Sequence, residues 1–128
     1  MTDFPESHQD LLDAPVGVLS VVGRSGIPHT TATWFLHDQD GEIKLWLSDA
    51  RHKMKILLQR PECSFFVLDT NNPQRYLCVR GRAELTPDNE CVVGDRLGKK
   101  YGVDVHGMVR EGETRYAVTI RPSTILVR

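Results

Sequence analysis

The sequence lacks the cysteine pattern of a disulfide framework. Its three cysteines, Cys63, Cys78 and Cys91, form no CxxC pair, and they are odd in number and widely spaced. Cys63 and Cys78 lie within apolar, strand-like runs. We therefore expect reduced thiols that serve as small core residues rather than as disulfide partners or nucleophiles.

The sequence also lacks any apolar run near the ~20 residues that a membrane-spanning helix requires. The segment from Met1 to Glu6 has no basic region followed by an apolar one, so it does not resemble a secretory leader. The formal net charge is -1, which argues against a protein that coats nucleic acid through bulk charge. We expect a soluble, cytoplasmic protein whose partners are neither membranes nor nucleic acids.

Local signatures of several enzyme classes are missing as well. The chain has no GxSxG of serine hydrolases, no GxxxxGK(S/T) of P-loop proteins and no GxGxxG of dinucleotide-binding folds. The histidines do not recur at a metal-ligand spacing such as HExxH, so we expect no structural metal. Any chemistry would then belong to a bound cofactor.

The chain does contain a succession of short strands. At 128 residues with 40% hydrophobic content it fits one domain, which we assign to residues 1–128. Periodicity and turn signals predict short helices over 5–13, 51–59 and 87–101, and strands over 16–22, 28–37, 43–48, 63–68, 76–85, 114–120 and 123–127. The fold class is mainly β, a six- to seven-stranded antiparallel barrel, closed or partly closed, with short helices.

Finer features of these elements can also be predicted. The Asp-Gly turn at 38–41 places strand 28–37 beside the strand that ends at Ser48. Gly81 predicts a bend or bulge in its strand, and Thr86 is predicted to cap a helix that starts at Pro87. Residues 103–112 show no readable pattern. Long alternating strands in so small a chain suggest that a second copy completes one face.

The most informative stretch is the segment from Ser48 to Lys55, where a strand ends and a helix begins. A helix N-terminus carries about half a positive charge, so the cations Arg51 and Lys53 have the unfavourable sign there. Together with free N–H groups and the Ser48 hydroxyl, they describe a site for a phosphate-sized anion. Solvated surface cations are the alternative.

Polar and aromatic side chains accompany this segment. His29, Thr31 and Thr33 share one face of their strand, which could line a ligand site or could be the solvated side of an edge hairpin. A planar heterocycle could stack on an aromatic residue near the basic region, although core packing is the commoner use of such residues. The aromatic candidates are Trp34, Trp46 and Tyr76.

The order of these segments resembles the pyridoxamine 5′-phosphate oxidase-like family. The resemblance rests on an ordered series rather than on one motif and covers nearly the whole chain. Within the family, the chain looks most like the small bacterial members known as deazaflavin (coenzyme F420)-dependent reductases. The matching segments are Val16–Ser20, Gly26–His29, the Asp-Gly turn, Leu45–Ser48, Arg51–Lys53, Arg60–Pro61 and Tyr76–Thr86.

The resemblance implies a split β-barrel homodimer with flavin or deazaflavin sites between the subunits. It implies that Arg51 and Lys53, with His52 between them, hold the cofactor phosphate, that Ser48 and Leu47 approach it, and that His29, Thr31, Thr33 and Trp34 run beside the ring. Tyr76 would lie on the strand that faces the dimer interface. Lys55 would meet a more distant anion, such as a deazaflavin polyglutamate tail.

The chain also departs from pyridoxamine phosphate oxidases proper, which carry arginine and lysine on the second strand and an Arg-Lys pair at the helix start. Here the strand has threonines, and His52 precedes Lys53. The resemblance therefore implies an F420-dependent oxidoreductase that transfers a hydride to an unsaturated or conjugated small molecule. An FMN-dependent oxidoreductase and a non-catalytic flavin-, haem- or tetrapyrrole-binding module are the alternatives. No residue is predicted as an obligate acid or base.

Overall fold

The computed structural model describes residues 3–128, so Met1 and Thr2, at the start of the predicted domain, lie outside the described residues. Within that range the strands are β1 Gly17–Val22, β2 Pro28–Thr33, β3 Leu36–His37, β4 Ile43–Ser48, β5 Glu62–Leu68, β6 Tyr76–Pro87 and β7 Arg115–Val127. The helices are α1 His52–Gln59, α2 Val92–Tyr101 and two 3-10 helices, Glu6–Asp13 and His106–Met108. None of the helices in the described range is long and apolar enough to cross a membrane. The predicted mainly β fold is confirmed.

The strand order explains why the sheet curls. All seven strands form one antiparallel sheet in the order β2-β1-β5-β6-β7-β4-β3, which puts β2 and β3 at its two edges. Only Trp34 and Phe35 separate the end of β2 from the start of β3. Three chain steps span at most ~11 Å, so the two edges must meet here. The sheet therefore curls into a barrel that is split along one seam.

The seam corrects one prediction from the sequence. A single strand over 28–37 beside the strand ending at Ser48 is wrong, because β2 pairs with β1 while only the short β3 pairs with β4. The chain leaves the sheet at Trp34 and Phe35, whose bulky side chains pack against residues outside the two edge strands. Phe35 is fully buried and its ring centroid lies 5.0 Å from that of Phe65. Trp34 stacks on Tyr101 with centroids 4.1 Å apart.

The C-terminal end of α2 holds this seam in place. The Lys100 ammonium donates to the carbonyls of Ala14 and Phe35, each at 2.8 Å, and lies 3.8 Å from the centroid of the Phe35 ring. The Tyr101 hydroxyl donates to the Pro15 carbonyl at 2.8 Å and accepts the Phe35 N–H at 3.1 Å. One helix end thus joins the entry to β1 with the crossing between the sheet edges.

The strand register shows which side chains of four neighbouring strands lie on the inner face of the sheet and which lie on the outer face. The inner row, in register across β1, β5, β6 and β7, is Leu19, Phe65, Val79 and Ile125. The first three of these side chains are fully buried. The adjacent row points the other way because side chains alternate along a strand. This outer row consists of Val18, Phe66, Cys78 and Leu126.

The two longest strands pair through an irregularity. The sequence predicted separate strands on either side of Arg121 and Pro122, but β7 is continuous, because a register shift between Arg80 and Gly81 in β6 accommodates the irregular stretch. The irregularity predicted at Gly81 is confirmed, although the residue that the register skips, Ser123, lies in β7. A Cβ at Gly81 would lie 2.0 Å from the Arg121 carbonyl oxygen, so only glycine fits without moving the backbone.

Two helices also differ from their predictions. The segment over 5–13 forms a 3-10 helix that begins at Glu6. The helix predicted from Pro87 begins at Val92 instead, because β6 extends through Thr86 and Pro87. The cap is the Asp88 carboxylate rather than Thr86, and it satisfies three first-turn N–H groups of α2 at 2.8 to 3.0 Å.

A buried ion cluster holds the turn between β3 and β4. The Asp38 side chain, 2% exposed, accepts from two nitrogens of Arg96 and from Lys44 Nζ, each at 2.8 Å. Burial alone would raise the pKa of Asp38, but the hydrogen bonds from Arg96 and Lys44 outweigh burial and hold that pKa well below its usual range. The charged carboxylate is therefore a stabilising part of the fold.

We predict that Asp38→Asn lowers the free energy of unfolding by ~2 kcal/mol in urea at neutral pH, because the partly buried Arg96 loses its carboxylate partner and Lys44 keeps only the exposed Asp40. The folded-state pKa of Asp38 lies below the ordinary aspartate value of 3.8, so this stabilisation is present above that value and is lost as pH falls through and below it. The Asp38→Asn variant should therefore lose less of its free energy of unfolding than the wild type does as the pH is lowered. Asp40→Asn is the matched control.

The Asp40 side chain also binds Lys44 but is 46% exposed, so its substitution should cost no more than ~0.5 kcal/mol. Equal losses in the two variants would contradict the assigned role of burial.

Candidate functional site

A cavity of about 510 Å³ opens at the seam, between β2 on one side and the end of β4 with the start of α1 on the other. We call it the seam cleft. Several residues singled out from the sequence line it together: Thr31, Thr33, Trp34, Leu47, Ser48, Arg51 and Lys53. Its remaining lining consists of Ala32, Trp46, Leu97, Val105, Met108 and Arg115.

The start of α1 has the electrostatic character that the sequence indicated. Arg51 occupies the N-cap position, no side chain caps the helix, and the first turn contains no acidic residue. The N–H groups of His52 and Lys53 have no intrahelical partner, since the first turn of any helix leaves its donors free. An uncapped positive helix end thus coincides with two cationic side chains.

Lys53 crosses the cleft to the opposite sheet edge. Its ammonium donates to Thr31 Oγ1 at 3.1 Å, which ties α1 to β2. Burial and the neighbouring charge of Arg51 lower the pKa of Lys53. Within residues 3–128 neither Lys53 nor Arg51 forms a salt bridge with a carboxylate. The cleft therefore holds partly desolvated positive charge that has no counter-ion from the described chain.

The Ser48 hydroxyl is already engaged. It donates to Glu113 Oε2 at 2.8 Å and accepts the Ala50 N–H at 3.1 Å, and the residue is 3% exposed. Ser48 therefore orders the end of β4, and it can donate to an anion only by leaving Glu113. Its predicted contact with the cofactor stays a prediction.

Arg115 is a cation of this cleft that sequence reasoning missed. It begins β7 and lies opposite Ser48 in the strand register. Its guanidinium lies 4.5 Å from the centroid of the Trp46 ring. No local signal could have found it, because its place in the cleft depends on pairing between strands far apart in the sequence.

The segment that was unreadable from sequence forms one wall of the cleft. Val105 is 1% exposed and Met108 is 37% exposed, and both line the cavity. The segment comes close to α2 at Gly98, where a Cβ would lie 2.5 Å from the Val103 carbonyl oxygen. Part of residues 103–112 therefore forms a wall of the cleft.

The three aromatic candidates have different roles. Trp46 is buried and packs on Gly94 of α2, where a Cβ would lie 2.8 Å from the indole. Trp34 is 39% exposed and lines the cleft while its other side is covered by Tyr101. Tyr76 lies outside the cleft, with its ring 5.4 Å from that of Phe66. Trp34 is the more exposed of the two tryptophans that line the cleft.

The remaining predicted residues lie in a second depression. His29, His52 and Lys55 line a groove of about 670 Å³ together with Arg24, Ile27, Ile56 and Arg60. The rings of His29 and His52 meet edge to face with centroids 5.0 Å apart. We call this the basic groove. It adjoins the cleft in sequence, since His52 precedes Lys53 and His29 lies two residues before Thr31 on β2.

Comparisons with known proteins agree with this architecture. The family model of pyridoxamine 5′-phosphate oxidase matches residues 4–126. The chain is similar to the solved structure of an F420 reductase, with 28% identity and a TM-score of 0.81 over 96% of this chain and 98% of that chain. A conserved hypothetical protein from Mycobacterium tuberculosis is 25% identical, with a TM-score of 0.80 over 98% and 84% of the two chains.

The heme storage protein HutZ from Vibrio cholerae shares the fold at 17% identity, with a TM-score of 0.74 over 99% of this chain and 95% of that chain. No curated protein matches the chain.

We predict that Lys53 and Lys44 titrate on opposite sides of the ordinary lysine value of 10.5. Burial and Arg51 lower the pKa of Lys53, whereas at Lys44 hydrogen bonds to Asp38 and Asp40 outweigh burial and raise the pKa. An alkaline titration of the lysine Cε resonances by NMR measures both. Inorganic phosphate should raise the Lys53 midpoint and leave Lys44 unchanged. A Lys53 midpoint at or above that of Lys44 would show that the cleft is not desolvated.

Proposed function

The chain belongs to the pyridoxamine 5′-phosphate oxidase family, and we propose that within this family it is a coenzyme F420 (deazaflavin)-dependent oxidoreductase. The observation that carries the proposal is the seam cleft, where Arg51, Lys53 and the uncapped start of α1 present positive charge without a carboxylate partner in residues 3–128. A phosphate group is the natural complement of this arrangement. The similarity to an F420 reductase supports a deazaflavin over other cofactors.

The residues of the cleft fit such a cofactor. Arg51 and Lys53 would hold its phosphate, and Thr31, Thr33 and Trp34 would flank its ring along β2. The threonines on β2, in place of the arginine and lysine of pyridoxamine phosphate oxidases proper, favour a deazaflavin over FMN. A reduced deazaflavin held there would supply a hydride to a conjugated carbon of the substrate, and solvent would supply the proton that completes the product.

The residues themselves contribute position and electrostatics to this reaction. The hydrogen bond from Lys53 to Thr31 fixes the width of the cleft, and the indole of Trp34, held flat against Tyr101, limits where a ring can lie. Such fixed groups lower the entropy cost of bringing cofactor and substrate together. The basic groove, which carries Lys55, Arg24 and Arg60, would receive an acidic extension of the cofactor such as a polyglutamate tail.

We predict that the purified protein binds coenzyme F420 more tightly than it binds FMN or haem. Cofactor fluorescence and absorbance follow the three titrations directly. Tighter binding of FMN would favour the flavin enzyme. Binding of F420 without oxidation of its reduced form by any of a panel of quinones, enones and tetrapyrroles would favour a binding module without turnover.

Lys53→Ala should weaken F420 binding by ~2 kcal/mol, about 30-fold in Kd, because a charge-assisted contact with the phosphate is lost. Lys99→Ala removes an exposed lysine of α2 that lies outside the cleft lining, so it should leave the affinity unchanged. Circular dichroism checks that both variants are folded. Unchanged affinity of the Lys53 variant would refute its phosphate role.

We also propose a homodimer built on the outer face of the sheet. The row formed by Val18, Phe66, Cys78 and Leu126 crosses four strands and is apolar throughout, yet none of its members is fully buried in the single chain. The ring of Tyr76 packs beside Phe66. A continuous apolar row on an outer sheet face is typical of a surface that another subunit covers.

Phe66→Asp should convert the dimer to a monomer, because the interface would have to bury an unpaired carboxylate. Sedimentation velocity measures the change. Val92→Asp is the matched control, since Val92 is an apolar residue with 61% exposure that lies away from this row. Dissociation in both variants, or in neither, would argue against the proposed face.

A further inference from the structure

The guanidinium of Arg115 is poorly satisfied by the chain itself. Its Nε is buried and has no hydrogen-bond partner among the described residues. Within the same residues, its Nη1 and Nη2 donate only to backbone carbonyls, those of Trp46 at 3.5 Å and Met108 at 3.3 Å. Within residues 3–128 no carboxylate forms a salt bridge with it. A buried donor without a partner costs free energy that an acceptor in the cleft would recover.

Arg115 is anchored to a different wall of the cleft from Lys53. Lys53 is bonded to Thr31 on β2, whereas Arg115 stacks on Trp46 of β4 and is bonded to Met108 beyond it. Burial lowers the pKa of Arg115; the nearby Glu113 carboxylate opposes this effect without forming a salt bridge, and the charge of Arg51 adds to it. The charge of Arg51 therefore contributes to lowering the pKa of both Lys53 and Arg115. Arg51 and Lys53 suffice to bind one phosphate. The charge of Arg115 then remains for a second anionic group.

The surroundings of Arg115 indicate the chemistry of that group. A guanidinium presents a planar fork of donors, which matches a carboxylate. The same part of the cleft is lined by the apolar side chains of Leu97, Val105 and Met108. A ligand that fits both features carries a carboxylate on an apolar body.

We propose that Arg115 binds the carboxylate of the substrate, and that the substrate class is a conjugated, unsaturated carboxylic acid with an apolar body. This assignment rests on the proposed function, since it names the hydride acceptor of the same cleft. A carboxylate of the cofactor itself is the other source of the same chemistry, and the experiment distinguishes the two.

The test measures binding rather than turnover. Cinnamate and its neutral analogue cinnamamide are titrated by calorimetry, and by quenching of tryptophan fluorescence, into the wild-type protein, Arg115→Gln, Arg115→Lys and the control Lys99→Ala. The wild type and the control should bind cinnamate ~10-fold more tightly than cinnamamide, as expected for a charge-assisted contact. Arg115→Gln should abolish this preference, and Arg115→Lys, which keeps the charge without the planar fork, should reduce it.

The outcomes separate the assignment from its alternatives. A preference for cinnamate that survives in Arg115→Gln, or no preference in the wild type, overturns the proposal. If Arg115→Gln weakens F420 binding ~10-fold while the wild type does not prefer cinnamate, the carboxylate belongs to the cofactor and the proposal is wrong.

An Arg115-dependent preference in a protein that does not bind F420 supports the carboxylate site and refutes the proposed cofactor. Where Arg115→Gln does not fold by circular dichroism, Arg115→Lys decides: a reduced preference supports the proposal and an unchanged one overturns it.

Discussion

The link between Thr33 and Leu36 joins the two opposite edges of a seven-stranded sheet through only Trp34 and Phe35. A flat sheet cannot satisfy that connection, so the curl, the seam and the cleft beside it all follow from a covalent constraint. The hydrogen bonds that Lys100 makes to the seam keep the crossing fixed. The cleft therefore has the β2 edge of the sheet as one wall and β4 with the start of α1 as the other, which is how residues distant along the chain come to line one cavity.

The charges of this protein fall into two groups. Outside the cleft, Lys44 and Arg96 converge on the buried Asp38 carboxylate, and such pairing offsets the cost of burial. Inside the cleft, Lys53 and Arg115 are partly buried and form no salt bridge with a carboxylate of the described chain, and burial lowers the pKa of both. Charge that stabilises the fold is neutralised by the chain, whereas charge at the cleft is left for a ligand to neutralise.

The sequence could predict the features that depend on consecutive residues, but not those that depend on strand pairing. The sign of the charges at the start of α1 is a property of a few consecutive residues, so Arg51 and Lys53 could be identified without any knowledge of strand pairing. Arg115 could not, because it reaches the cleft only through the pairing of β7 with β4. The cap at Asp88 was missed for a related reason: its value depends on where β6 ends, which pairing with β7 decides.

The position of β7 has a consequence for how the protein is made. It follows every other strand in the chain, yet it lies between β6 and β4 in the sheet. As the chain leaves the ribosome, β1, β2, β5 and β6 can pair with one another. Strand β4 cannot pair with β7 until β7 has been synthesised after them. The cleft, which Arg115 of β7 lines, cannot be complete before β7 has been synthesised and has paired with β4, so binding of a ligand there would report that the last strand of the sheet is in place.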